Sequence, residues 1–175
     1  MKYKTLILLI LLIAGLIIGF ISIKPSHVTK IITIGSAVPD FELVDAEDNR
    51  IRLHDMKGSV VLINFWATWC ASCIEELPSI ERLYRYLSAE SRFRVVTILY
   101  RDDGSRALNF MKQNGLTFPV YVNPDNSAAK YFGITGVPET FLIDKKGVLR
   151  HKVIGPAEWD APYAIEKIQA ILNEP

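Results

Sequence analysis

The chain has 175 residues, with 20 Lys+Arg against 19 Asp+Glu, and half of its residues are hydrophobic. So even a balance excludes a nucleic-acid binder that works by bulk positive charge, and 22% charged with 10% aromatic residues excludes a disordered chain. At roughly 150 residues per domain, the length holds one globular unit and an appendage.

The appendage is N-terminal. Leu6 to Ile23 is an 18-residue apolar run broken only by Gly15, Gly19 and Ser22. At ~1.5 Å rise per residue such a run makes a helix of about 27 Å, close to the ~30 Å hydrocarbon core of a bilayer. Residues 1–24 therefore read as a short cytoplasmic start and a transmembrane signal anchor. The alternative, a cleaved signal peptide, has an apolar region of ~7 to 15 residues and a small-residue cleavage site. Gly19-Phe-Ile-Ser-Ile23 offers no such site. Lys2 and Lys4 stay cytoplasmic by the positive-inside rule, which puts everything after the helix on the extracytoplasmic, periplasmic side of the inner membrane. Residues 25–34 read as a linker opened by Pro25, and 35–175 as the folded domain.

Within the domain, Phe41 to Val44 and Ile51 to Leu53 flank a polar segment and predict a hairpin. Val60 to Phe65 and Val95 to Leu99 are nearly continuous apolar runs, as buried central strands require. Between them, Leu77, Ile80, Leu83, Tyr84 and Leu87 predict a helix over 73–87, with Pro78 as a kink. A helix over 105–113, a strand over 118–122 and a short helix over 127–132 follow, punctuated by Gly115 and Gly133. Strands over 140–143 and 148–153 meet across the turn Asp144-Lys-Lys-Gly147, and a helix over 161–172 closes the chain. Short strands alternating with amphipathic stretches define an α/β fold.

The chain has two cysteines, Cys70 and Cys73, placed just after a central strand and at a helix start. Unpaired amides and the positive dipole end of a helix favour an anion there, so a thiolate at Cys70 is stabilised. Helical residues three apart lie ~5 to 6 Å between Cβ atoms, near the ~3.8 Å of a disulfide, so the pair can cycle between dithiol and disulfide. A purely structural disulfide closing two intervening residues adds little stability. Zinc needs more ligands than His27, His54 and His151 supply, and covalent haem attachment needs a histidine where Ile74 stands. No metal or cofactor is expected, and the histidines receive no role.

Val60-Val-Leu-Ile-Asn-Phe-Trp-Ala-Thr-Trp-Cys-Ala-Ser-Cys73, Glu76-Leu-Pro78 and Gly136-Val-Pro-Glu-Thr-Phe-Leu-Ile-Asp144 together resemble the thioredoxin-like family, and within it the membrane-tethered thiol:disulfide reductases of the TlpA, ResA and DsbE type. The resemblance spans residues 35–172. It implies a central mixed sheet flanked by helices, with the hairpin as an N-terminal addition. It also implies that Cys70 attacks, that Cys73 resolves, and that Pro138 is a cis-proline facing the disulfide. Trp69, Val137, Pro138 and Glu139 become the substrate-facing residues. A disulfide-bearing protein, with apocytochrome c favoured, becomes the client, and a membrane thiol transporter becomes the electron donor. A disulfide oxidase or isomerase, and a non-catalytic tethered chaperone, remain the alternatives.

Two departures from cytosolic thioredoxin matter. Asn64 stands where that protein has a buried aspartate, and an amide is no general base. The resemblance nominates Glu76 for proton handling, against the plain reading of a first-turn glutamate that Glu75 fits. Ala71-Ser72 replaces Gly-Pro between the cysteines, so the potential does not transfer. The peroxiredoxin pattern, which needs threonine three residues before its cysteine, fails at Ala67. Trp159, in Glu158-Trp-Asp160, reads as structural.

Overall fold

The computed structural model describes residues 31–175, together with Tyr3, Lys4, Ile7 and residues 10–14. Most of the apolar run Leu6 to Ile23 and of the 25–34 linker lies outside the described residues. Among the described residues no helix is long and apolar enough to cross a membrane.

Strands β3 (Val60–Trp66), β4 (Phe93–Leu99), β5 (Val120–Tyr121), β6 (Glu139–Ile143) and β7 (Leu149–Ile154) form a five-stranded mixed sheet in the order β5-β4-β3-β6-β7. The central strands β3 and β4 run parallel, while β6 lies antiparallel to β3 and β7 antiparallel to β6. Strand side chains alternate between faces, and the sequence uses both. Val60, Leu62 and Trp66 share one core with Leu77, Ile80 and Leu83 of α1 (Ala71–Tyr86), Met111 of α2 (Gly104–Asn114), and Ile168 and Ile171 of α4 (Pro162–Asn173). Val61, Ile63 and Phe65 share the other with Phe41, Leu43 and Phe132, the last from α3 (Ser127–Phe132). The additional hairpin pairs β1 (Glu42–Val44) with β2 (Arg50–Arg52) and joins the edge of the main sheet where Val44 bridges Val122.

Two elements illustrate how the structure departs from the sequence expectation, each for a local reason. Helix α1 begins at Ala71 and runs through Pro78, a position whose missing N–H costs one hydrogen bond while Leu77, Ile80 and Leu83 stay buried. β5 shrinks to Val120–Tyr121: Pro119 has no N–H to offer, the Phe118 amide donates instead to Glu81 Oε2 at 3.2 Å, and Val122 turns to the hairpin. Ile32, within the segment expected as a linker, is partly buried and its amide donates to the Tyr131 carbonyl at 2.9 Å.

Candidate active site

The site sits where β3 ends and α1 begins. Cys70 is the N-cap of α1, and its sulfur accepts from the Cys73 amide at 3.2 Å, using one of the amides that a helix start leaves unpaired. Cys70 and Cys73 are joined in a disulfide with Cα atoms 5.3 Å apart. Cys70 is 7% exposed and Cys73 1%, so the helix start orders the two sulfurs by access.

Two loops hold this turn. Asp102 Oδ2, after β4, accepts from the Thr68 amide at 2.6 Å and the Thr68 hydroxyl at 2.7 Å. Burial pushes the Asp102 carboxyl up, but these bonds and the Asp103 amide outweigh it and hold the group below the usual carboxylate range. Trp69 is 56% exposed and donates its indole N–H to the Arg101 carbonyl at 3.2 Å; Trp66 is instead fully buried in the core. Opposite, the Val137–Pro138 peptide is cis, and the Val137 carbonyl oxygen lies 3.4 Å from Cys70 Sγ. The Gly155 amide donates to the Pro138 carbonyl at 2.9 Å, tying this loop to the end of β7. Glu139 is not on the surface. It is 3% exposed and forms an ion pair with Lys152 Nζ at 2.8 Å, close in distance but not aligned as a hydrogen bond.

Behind Cys73, one turn along the buried face of α1, lies Glu76, 2% exposed, while Glu75 faces solvent. Asn64 sits with its amide between Thr140 Oγ1, at 2.8 Å, and Glu76 Oε1, at 3.3 Å. The Thr140 hydroxyl donates to the same oxygen at 3.4 Å, and so does the indole N–H of Trp159. Burial pushes the Glu76 carboxyl up to about 7, against the Trp159 and Thr140 hydrogen bonds that pull it down, and nearby Glu158 adds to the rise. Trp159, read from the sequence as structural, is 7% exposed and donates its indole N–H to this buried carboxyl. No pattern pointed to it: Trp159 and Thr140 lie 83 and 64 residues from Glu76 and meet it only through the sheet. Among the described residues no group of three His, Cys, Asp or Glu side chains stands close enough to hold a metal ion.

The raised carboxyl has a thermodynamic consequence. With a folded value of about 7 against 4.5 for the free group, the folded state holds a proton on Glu76 that the unfolded chain has lost. Its contribution to stability is complete below about pH 4.5 and disappears as pH rises through about 7. Urea titrations of the oxidised protein at pH 5 and pH 8 should show wild type losing about 2 kcal/mol more than Glu76→Gln between those pH values. Equal losses in the two proteins would place the carboxyl in its ordinary range.

A helix-capping cysteine, a buried partner sulfur and a cis-proline peptide whose carbonyl lies against the capping sulfur define a thioredoxin-like dithiol/disulfide site. The chain matches the AhpC/TSA family over residues 34–152 and belongs to it. It is 36% identical to thiol-disulfide oxidoreductase ResA of Geobacillus thermodenitrificans over 87% of this chain and 86% of that one. It is 32% identical to thiol:disulfide interchange protein DsbE of Pseudomonas aeruginosa over 94% of this chain and 91% of that one. Among solved structures, a thioredoxin-family thiol:disulfide interchange protein from Chlorobium tepidum superposes with a TM-score of 0.69 at 25% identity, covering 81% of this chain and 99% of that one. StoA from Bacillus subtilis superposes with a TM-score of 0.61 at 25% identity, covering 75% and 96%. The chain is a thiol-disulfide oxidoreductase of the ResA and DsbE type.

Proposed function

We propose that this oxidoreductase is tethered to the cytoplasmic membrane by its N-terminal apolar run, faces the extracytoplasmic side, and works as a reductase. Its favoured client is the disulfide of apocytochrome c, with a membrane thiol transporter as its electron donor. The observation that carries the direction is the buried Glu76 carboxyl one turn from Cys73, which has no ion-pair partner among the described residues. As a carboxylate it disfavours a thiolate beside it, whereas strong oxidants of this fold gain their power from a stabilised reduced form. Withholding that stabilisation favours the disulfide in this chain and so makes the dithiol a better donor. In the catalytic cycle the Cys70 thiolate attacks the client disulfide, and one client cysteine leaves as a thiolate. Cys73 then attacks Cys70 in the mixed disulfide, releasing the second client thiolate and closing Cys70–Cys73. Two electrons pass to the client, and the transporter's dithiol restores the pair.

Full-length chain isolated from membranes and equilibrated with glutathione tests both halves of this reading. A membrane-associated protein with a potential near thioredoxin's ~−270 mV is expected. A potential near the ~−120 mV of DsbA would make the protein an oxidase. Recovery of the intact chain in the soluble fraction would remove the tether.

A further inference from the structure

The two oxygens of Glu76 are treated very differently by their surroundings. Oε1 accepts from the Trp159 indole, from Thr140 Oγ1 at 3.4 Å and from Asn64 Nδ2 at 3.3 Å. Oε2 is buried and has no hydrogen-bond partner among the described residues. A proton on Oε1 would point a hydrogen at three donors, so the neutral carboxyl carries its proton on Oε2.

Of the three donors, Asn64 and Thr140 are set by paired strands β3 and β6, whereas Trp159 arrives on the segment between β7 and α4. That segment is fastened to the same helix that bears Glu76. The Trp159 amide donates to Ser79 Oγ at 3.1 Å, and Ser79 Oγ lies 2.8 Å from the Glu76 carbonyl and 3.2 Å from that of Ala157. On the surface, Arg82 pairs with Asp160 at 2.5 Å and with Glu158 at 3.5 Å. The fastening gives the indole one position, with its N–H on Oε1.

We propose that Trp159 is a positioning residue for the thiol chemistry: its indole N–H occupies Oε1 and leaves Oε2 as the atom that exchanges a proton with the Cys70–Cys73 pair. This rests on the reading of Glu76 as the group that handles that proton. When the donor dithiol attacks Cys70, the Cys70–Cys73 bond breaks and Cys73 leaves as a thiolate. The proton on Glu76 Oε2 passes to Cys73 Sγ, and Glu76 is left as a carboxylate held by the Trp159 N–H. Re-oxidation by the client returns the proton. Other charges around Glu76 are Glu75 and Arg82 on α1, Glu158 and Asp160 on the Trp159 segment, and the Glu139–Lys152 pair across β6 and β7. His151 and Lys167 line a cavity of about 120 Å³ whose wall includes Thr140 and Trp159. None of these donates a hydrogen bond to either oxygen of Glu76.

The test is Trp159→Phe, which keeps an aromatic ring and deletes the N–H. Carboxyl ¹³C resonances of the oxidised protein, assigned with Glu76→Gln, report the titration of Glu76 with no thiol present. Removing a hydrogen bond to the charged form should move that midpoint about one pH unit upward. The pH profile of alkylation of the reduced protein should move with it, and the Trp159→Phe, Glu76→Gln double variant should behave as Glu76→Gln does. Ser79→Ala, which loosens the segment and leaves the indole intact, should shift both measurements in the same direction by less, and it carries the test if Trp159→Phe does not fold. An unmoved Glu76 midpoint in the variants overturns the role of Trp159 alone. A moved midpoint with coincident alkylation profiles for wild type and Glu76→Gln overturns the proton-handling role of Glu76, and with it this one.

Discussion

A Cys73→Ser variant should accumulate covalent complexes with its partners, whereas Cys70→Ser should accumulate almost none. Cys70 caps the helix at its exposed start and carries the sulfur that a client reaches past Trp69 and the Val137–Pro138 peptide. Cys73 is 1% exposed, and its buried face leads to Glu76. Disulfide exchange proceeds through a mixed disulfide on the attacking thiol, which the second thiol then releases. Without Cys73 that release step is missing, and intramolecular thiol attack outruns attack by an outside thiol by orders of magnitude through effective concentration. Non-reducing gels of the two variants, followed by mass spectrometry of the trapped species, make the measurement. Recovery of Cys-x-x-Cys-His peptides supports cytochrome c maturation, and a broad mixture of secreted proteins supports a general reductase or isomerase. Partners on Cys73 in the Cys70→Ser variant, and none on Cys70, would reverse the assignment of attacker and resolver.

The largest loss of stability is expected far from the cysteines, at Phe132→Ala. Phe132 is fully buried and packs its ring against three others: Phe141 at 4.3 Å between centroids, Phe65 at 5.6 Å and Phe41 at 6.1 Å. These rings come from α3, two sheet strands and the segment leading into the hairpin, so one truncation loosens four parts of the fold. Removing a buried phenylalanine costs about 3–5 kcal/mol through lost transfer energy and the cavity left behind, against a total of roughly 5–15 kcal/mol for a domain. The urea midpoint should fall by about 2 M with an unchanged slope, while glutathione equilibrium of the surviving folded protein stays as in wild type. A loss below about 1 kcal/mol would show that the surrounding rings close the gap.

The difference between these two experiments mirrors how information is distributed in the chain. Chemistry carried by neighbours in sequence was legible without a structure. Cys70 and Cys73 are three residues apart, so helical geometry alone brings their sulfurs within bonding reach, and the apolar run of β3 ahead of them places the pair at a strand-to-helix junction. The central strands β3 and β4 were equally plain, because strands covered on both faces must be apolar at nearly every position.

What tertiary structure decided is everything that depends on a residue's environment. Glu75 and Glu76 are the same residue type side by side, yet the 100° step between helical neighbours puts one in water and the other against the sheet, where desolvation raises its carboxyl to about 7. Glu139 could not be told from a surface glutamate until β7 supplied Lys152 across the strand pair. Asp102 and Trp159 belong to the site only because loops 34 residues after Thr68 and 83 residues after Glu76 fold back onto it. Periodicity reports which face of an element is buried, and spacing reports what one helix can bring together. The hydrogen-bond partners of a buried carboxyl come from strands and loops distant in sequence, and only the closed sheet brings them to Glu76.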